Sequence, residues 1–292
     1  MPNLKDIRNQ ISSITSTRQI TSAMKMVSAA KLRKAQNAIV QMRPYAIKLN
    51  AILENLCSSL DGNIENVYTE KRTENKILVV AVSSNRGLCG AFNTNVVKQI
   101  NSLISEKYAT QFANGNVHFV TIGRKITDTL IRRKFVVVNS YTSVYELLNF
   151  EKVFPIADTL MNLFANKQYD KIIIVYNRFK NAGIQYITEE SFLPIEIIPT
   201  TKGTKSIDYI LEPSGEVIIE KVIPKSLSIQ LYKILLDSVA SEHGARMTSM
   251  HKATDNASEM IKDLKQIYNK ARQASITKEI IEIVSGAESL RL

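Results

Sequence analysis

Glycine is absent before Gly62, and after Gly215 only Gly244 and Gly286 remain, whereas residues 62–224 hold eight glycines and five of the seven prolines. Glycine and proline are the strongest breakers of regular structure. The two ends can therefore run as long helices, while the middle must turn repeatedly. Apolar spacing agrees with this. Leu4, Ile7, Ile11 and Ile14 recur at steps of 3, 4 and 3, and Ala35, Ala38, Met42, Tyr45, Leu49, Ile52 and Leu56 continue at alternating 3 and 4, with a small and polar stretch between. Such spacing is a narrow coiled-coil seam. At ~1.5 Å per residue a helix from Asn3 to Leu56 would be about 80 Å long, with Pro44 as a place to bend it.

Toward the carboxyl end Met250, Thr254, Ala257, Ile261, Leu264, Tyr268 and Ala271 repeat the pattern, and a shifted set, Ile276, Ile280, Ile283 and Ala287, continues it. From Ser226 to Gly286 the one internal glycine is Gly244 and proline is absent, so a second helix of roughly 90 Å is expected. Each seam needs a partner. The simplest arrangement pairs the two ends of one chain as an antiparallel coil; the alternative is a coil between two copies.

The middle alternates strand-like and helix-like stretches: strands at 77–82, 117–122, 135–138 and 171–176, helices around 92–108, 124–133 and 143–166. Continuous β-branched runs separated by helices imply a mostly parallel sheet covered on both faces. Stretches at 185–187 and 195–198 would add an antiparallel edge. The expected fold class is α/β: a long antiparallel coiled coil of N- and C-terminal helices plus a Rossmann-like domain with mostly parallel sheet. Its parts are an N-terminal helix (1–56), an α/β foot domain (57–224) and a C-terminal helix (225–292).

Composition narrows the function classes. Of the formal charge of +11, residues 1–56 carry +7, and no acid stands between Ile7 and Leu53, where Arg8, Arg18, Lys25, Lys31, Arg33, Lys34, Arg43 and Lys48 all occur. Such a helix attracts a phosphate backbone or an acidic protein loop; Tyr45 is its one aromatic, so bases have little to stack on. No long apolar run or secretory pattern is present, which reads as a chain without a membrane span or signal peptide. Cys57 and Cys89 are too few for a disulfide framework and read as buried or free thiols. His118, His243 and His251 show no metal-ligand spacing, and no nucleophile motif accompanies them, so His118 reads as a satisfied half-buried residue. Ser83 to Asn93 forms a glycine-bearing loop between a strand and a helix, a place where backbone amides can hold a phosphate. Gly87 and Gly90 do not have the spacing of either nucleotide-binding glycine motif. A tight turn is the plainer reading, and a phosphate site is the alternative.

Four blocks resemble one family. Gln19-Ile-Thr-Ser-Ala-Met-Lys-Met-Val-Ser-Ala-Ala-Lys31, Ser84-Asn-Arg-Gly-Leu-Cys-Gly90, Ala253-Thr-Asp-Asn-Ala257 and the run from Tyr268 to Ala287 are similar to the gamma subunits of F-type ATP synthases, in the family's order and from end to end. The resemblance implies a rotor shaft without chemistry of its own. The paired helices would stand inside a hexamer of alpha and beta subunits, which bind the Mg-ATP and ADP, so that no cofactor belongs to this chain. The α/β foot would stand beside the epsilon subunit and the membrane c-ring, with no nucleic acid among the partners. By the same resemblance Met24 and Lys25, near Lys31, Arg33 and Lys34, would face an acidic beta-subunit loop. Arg272, Gln273 and Thr277 would bond a second beta loop, and Ile280, Ile281, Ile283 and Val284 would turn in the hexamer's apolar bearing. Torque would couple proton translocation to ATP synthesis or hydrolysis. The resemblance places the chain peripherally, on the cytoplasmic face of a bacterial inner membrane. It departs from plant-type gamma chains in lacking their regulatory cysteine pair, so thiol control is not expected. Outside the family, the alternative function is an RNA-associated protein with a basic coiled-coil arm.

Overall fold

The computed structural model describes residues 4–59, 67–195 and 215–289. It divides into two compact units, one formed by the chain up to Ser28 and from Met247 onward, the other by Ala29–Arg246. Helices α1 (Leu4–Ser59) and α6 (Gly215–Ser289) contribute to both.

In the first unit α1 and α6 lie side by side and antiparallel. Arg8 donates to the Tyr268 hydroxyl at 2.9 Å, Thr254 donates to Thr21 at 2.9 Å, and Lys25 Nζ stands 3.5 Å from His251 Nδ1. Positions thus advance along α1 as they retreat along α6. The pairing is within one chain, which selects the intramolecular arrangement. Met250, Thr254, Ala257, Ile261, Leu264, Tyr268 and Ala271 are all buried or half-buried, as their spacing predicts. Ile7, Thr21 and Ser28 are buried on the facing stripe. The central part of this seam is small and polar, so hydroxyls meet where larger apolar side chains would hold the helices apart.

The continuation expected through Ile276, Ile280, Ile283 and Ala287 is not a seam: these four are exposed. The register explains why. With Arg8 level with Tyr268, Leu4 is reached close to Arg272, and α6 runs on for ~25 Å past the described start of α1 at 1.5 Å per residue. Its apolar side chains there have no α1 to cover them.

The second unit is a five-stranded sheet ordered β3-β2-β1-β4-β5. Strands β1 (Ile77–Val82), β2 (Val117–Ile122), β3 (Val137–Tyr141) and β4 (Lys171–Phe179) are parallel, and β5 (Gln185–Leu193) is an antiparallel edge on β4. Side chains alternate across the sheet. Ile77, Val79, Ala81, Phe119 and Val175 meet α2 (Phe92–Lys107) and α4 (Arg124–Arg132) through Val96, Ile100, Leu103, Ile126 and Leu130. Leu78, Val80, Val82, Ile122 and Ile174 meet α5 (Phe150–Ala165) and α6 through Val153, Leu160, Phe164, Leu227, Leu231 and Leu235. Strands buried on both faces read as near-continuous apolar runs, which is why β1, apolar throughout, and β2, broken only by His118 and Thr121, match their expected limits. A short helix, α3 (Ala109–Ala113), precedes β2.

Four expectations need correction. The third strand was expected at 135–138 and lies at Val137–Tyr141. Phe135 instead closes the end of α4, its amide donating to Leu130 O at 3.0 Å and its ring stacking on Phe119. The helix expected around 143–166 is a single 3₁₀ turn at Ser143–Tyr145, a break, and then α5, whose start is capped by Asn149 accepting from the Lys152 amide. The carboxyl helix begins at Gly215, before Ser226, and passes through Pro224, where the neighbouring turn is exposed at Glu220 and Lys221 and the lost backbone bond is tolerated. Along α1, half-buried or buried positions follow Leu32, Ala35, Ile39, Met42, Ala46 and Leu49, while Tyr45 and Ile52 face solvent. Continuing the 3–4 step from Leu4 through the polar stretch gives this line; restarting it through Ala38 does not. Of the edge stretch 195–198, residues 196–198 lie outside the described residues.

Candidate partner-binding surfaces

In a sheet of order β3-β2-β1-β4-β5 the crossovers leave β1 in opposite directions, and the crevice beyond the carboxyl ends of β1 and β4 is where sheets of this kind take ligands. Here the loop Ser84–Ala91 and Asn177 border it. The loop is internally tied: the Ser84 amide and hydroxyl both donate to Asn93 Oδ1, and Asn93 Nδ2 donates to Cys89 Sγ at 3.3 Å. Leu88 and Gly90 take left-handed backbone (φ 63° and 58°).

What enters the crevice is the chain's own helix. Arg246 of α6 donates from Nε and Nη2 to Gly87 O and from Nη2 to Arg86 O, each at 3.2 Å, and its Nη1 is 2.7 Å from Glu242 Oε1 in a buried ion pair. Ser241 donates to Asn177 O, Asn177 donates to Phe92 O, and Ala245 packs on Cys89 and Phe92. The loop thus turns carbonyl oxygens toward a guanidinium. An anion at this point would face the lone pairs of Arg86 and Gly87, and the left-handed backbone at Leu88 and Gly90 is that of a tight turn. Gly244 lets α6 come close: a Cβ there would stand 3.2 Å from Ala182 O and 3.3 Å from Ala182 Cα. Sequence reasoning did not single out this cluster of Glu242, His243, Gly244 and Arg246; Gly244, the one glycine of α6 away from its two ends, was its signal.

His243 adds a pH-dependent term. Burial, then the Arg246 and Lys31 charges, push it down to about 4, and Arg246 Nη1 lies 3.2 Å from its Nδ1. The unfolded chain has an ordinary histidine near 6.5, so between about 6.5 and 4 the unfolded state binds more protons than the folded one. Stability from this group is complete above that window and falls as pH falls through it, by on the order of 2 kcal/mol after allowance for partial exposure. Glu242, raised by burial, works in the opposite direction. Urea midpoints of the wild type and His243→Gln should therefore converge or cross as pH drops from 7 to 4, and parallel curves would contradict the assignment.

His118 is satisfied, with Nδ1 2.8 Å from the Tyr169 hydroxyl. A groove of about 1100 Å³ lies between α1, the β4–β5 hairpin and α6. Asp237 lines it nine-tenths buried, its carboxyl raised by burial against the pull of Lys233, Arg178 and Arg43.

The residues marked from the sequence fall on two exposed stretches. Lys31, Arg33 and Lys34 are exposed on α1, whereas Met24 and Lys25 are half-buried, Lys25 turned toward His251. Arg272, Gln273 and Thr277 are exposed on α6, Thr277 donating to Gln273 O at 3.0 Å. Ile280, Ile281, Ile283 and Val284 follow, each between 55% and 70% exposed, the largest consecutive group of exposed aliphatic side chains among the described residues. Apolar side chains clustered on an unpartnered helix mark an interaction surface.

The ATP synthase family model matches residues 3–290. The chain is 53% identical over 291 residues to the ATP synthase gamma chain of Flavobacterium psychrophilum, covering all of both, and 49% identical over 293 residues to that of Cytophaga hutchinsonii, covering 99% of both. A central-stalk chain of Tetrahymena thermophila mitochondrial ATP synthase superposes with a TM-score of 0.61 at 25% identity, over 80% of this chain and 99% of that one. A chain of the Euglena gracilis mitochondrial ATP synthase shares the fold, with a TM-score of 0.72 at 20% identity over 98% of this chain and 94% of that one. No described helix is long and apolar enough to cross a membrane. By this agreement along its whole length, the chain belongs to the ATP synthase gamma-chain family.

Proposed function

We propose that this chain is the central rotor shaft of a proton-translocating ATP synthase, carrying torque between a membrane c-ring and the catalytic beta subunits, and that it performs no chemistry itself. The observation that carries the reading is the free end of α6, an apolar single helix emerging from a two-helix coil. A shaft drives catalysis only by contacting the surrounding subunits unequally, since a ligand that binds every state equally shifts no population. The coil supplies that inequality. Polar Arg272, Gln273 and Thr277 bond a beta-subunit loop, while Ile280, Ile281, Ile283 and Val284 turn against an apolar sleeve formed by the alpha–beta hexamer.

Lys31, Arg33 and Lys34 face an acidic beta loop, and Met24 and Lys25 lie beside that contact. Lys25 reaches it only by leaving His251. Residues 1–56 and 225–292 act as shaft and 57–224 as foot, beside the epsilon subunit and the ring. The complex stands on the cytoplasmic face of a bacterial inner membrane. The RNA-binding alternative has no observation in its favour beyond the basic α1, which the shaft reading uses.

Co-expression with the cognate alpha and beta subunits tests the reading: one copy should elute in an ATP-hydrolysing hexamer. In that complex Arg272→Leu with Gln273→Leu should lower proton-driven synthesis roughly tenfold or more, the loss expected when charge-assisted contacts are removed from an interface. Circular dichroism and melting of the isolated chain should stay unchanged, since both side chains are exposed. Undiminished synthesis would sink the assignment of these two residues.

A further inference from the structure

The shaft reading leaves unused the end of the sheet where β1, β2, β3 and β4 begin, opposite the Arg246 crevice. Three helix-to-strand turns close there, each with a residue in left-handed backbone: Gly115 before β2 (φ 74°), Lys134 before β3 (φ 61°) and Lys167 before β4 (φ 56°). Glycine adopts this conformation freely and a side chain does so at a cost. Two of the three turns therefore hold a lysine where the backbone alone favours glycine, and both lysines are exposed. Strain kept at a surface turn is a reason to look for a function.

The surrounding charges point the same way. Three acids at this end are engaged, Glu70 by Arg72 at 2.6 Å, Glu74 by Lys171 at 2.6 Å, and Asp170 by the amides of Asn75 and Lys76, while Glu106 in the last turn of α2 is exposed and accepts from the Ser102 hydroxyl. Arg72 is itself stacked on the Phe164 ring. Lys71, Lys76, Arg133, Lys134 and Lys167 are exposed and form no ion pair or side-chain hydrogen bond among the described residues. Sheet order puts Lys76 just before β1, Arg133 and Lys134 before β3 and Lys167 before β4, spread over three interstrand steps of ~4.8 Å, or about 14 Å.

We propose that this edge binds the anionic headgroups of a lipid surface. Long, separately mounted cations suit an array of mobile phosphates, which can rearrange to meet them, and a polybasic cluster of this size is attracted to anionic membrane. The choice of lipid over an acidic protein rests on the rotor reading. A fluid layer attracts the foot without favouring any angle, whereas acidic loops on a stationary protein would impose a barrier at each passage.

The test uses the full chain and vesicles of phosphatidylcholine with or without phosphatidylglycerol. The variant combines Lys134→Gly and Lys167→Gly, which relieve backbone strain, with Lys76→Gln and Arg133→Gln, so lost binding cannot be ascribed to a weakened fold. Wild type should sediment with the anionic vesicles only, less so in high salt, and the variant should bind at least roughly tenfold more weakly with no fall in melting temperature. Equal binding to both vesicles, or undiminished binding by the variant, overturns the proposal. So does loss of binding in Lys31→Glu/Arg33→Glu/Lys34→Glu while the edge variant still binds, because the contact then lies on α1. Assembly with alpha and beta is scored separately. Failure to assemble counts against the shaft, and assembly without edge-dependent vesicle binding counts against this surface alone.

Discussion

Gly123→Ala should destabilise the α/β unit by on the order of 4 kcal/mol, at the high end for a single methyl group. Gly123 links β2 to α4 with φ at 110° and ψ at 136°, a combination open almost only to glycine, and an added Cβ would overlap the carbonyl of Ser83. Both atoms are backbone, so no side-chain rotation relieves the overlap. The Ser83 hydroxyl also accepts from the Ile126 amide at 3.0 Å, and displacing Ser83 loosens the first turn of α4. Gly115→Ala is the control. It has φ of 74° and open space at the Cβ position, so its cost should stay near 1 kcal/mol. Chemical denaturation of both variants measures the contrast; equal losses would mean that conformation alone, not the Ser83 approach, decides the effect.

Arg246→Met should cost about 3 to 5 kcal/mol, the range for removing one partner of a buried pair. Methionine fills much of the volume, so the loss is electrostatic. Glu242 is left without its cation at a site where burial already raises its carboxyl, and the carbonyls of Arg86 and Gly87 lose their donors. Adding Glu242→Leu to Arg246→Met should restore part of the stability, since the uncompensated charge goes with it. A single variant within 1 kcal/mol of wild type by urea denaturation would show the cluster to be dispensable. Domains of this size have only about 5 to 15 kcal/mol in hand.

The long-range plan was readable because it is periodic. Seven residues from Met250 to Ala271 occupy the seam their spacing assigns them, and β1 and β2 are bounded where their apolar runs begin and end. Errors arose where periodicity and contact part company. Ile276 to Val284 keep a helical apolar repeat, but periodicity cannot say where the partner helix begins. Tyr45 and Ile52 fit a repeat that steps from Ala35 to Ala38, yet the covered line steps from Ala35 to Ile39 and on to Ala46. β3 is an edge strand with alternating exposure, and Asn139 and Ser140 interrupt its apolar pattern. The Arg246 cluster joins residues some 160 positions apart, Arg86 and Gly87 with Arg246, and no local pattern encodes such a contact.

The guanidinium in the crevice also changes what that opening does. Sheets of this kind can leave it to a diffusible ligand. Here a side chain of the same chain occupies it, bonded to Arg86 O and Gly87 O and paired with Glu242. The loop after β1 is thereby tied to α6, and a displacement of the helix bears on that loop directly, with no bound molecule as intermediary.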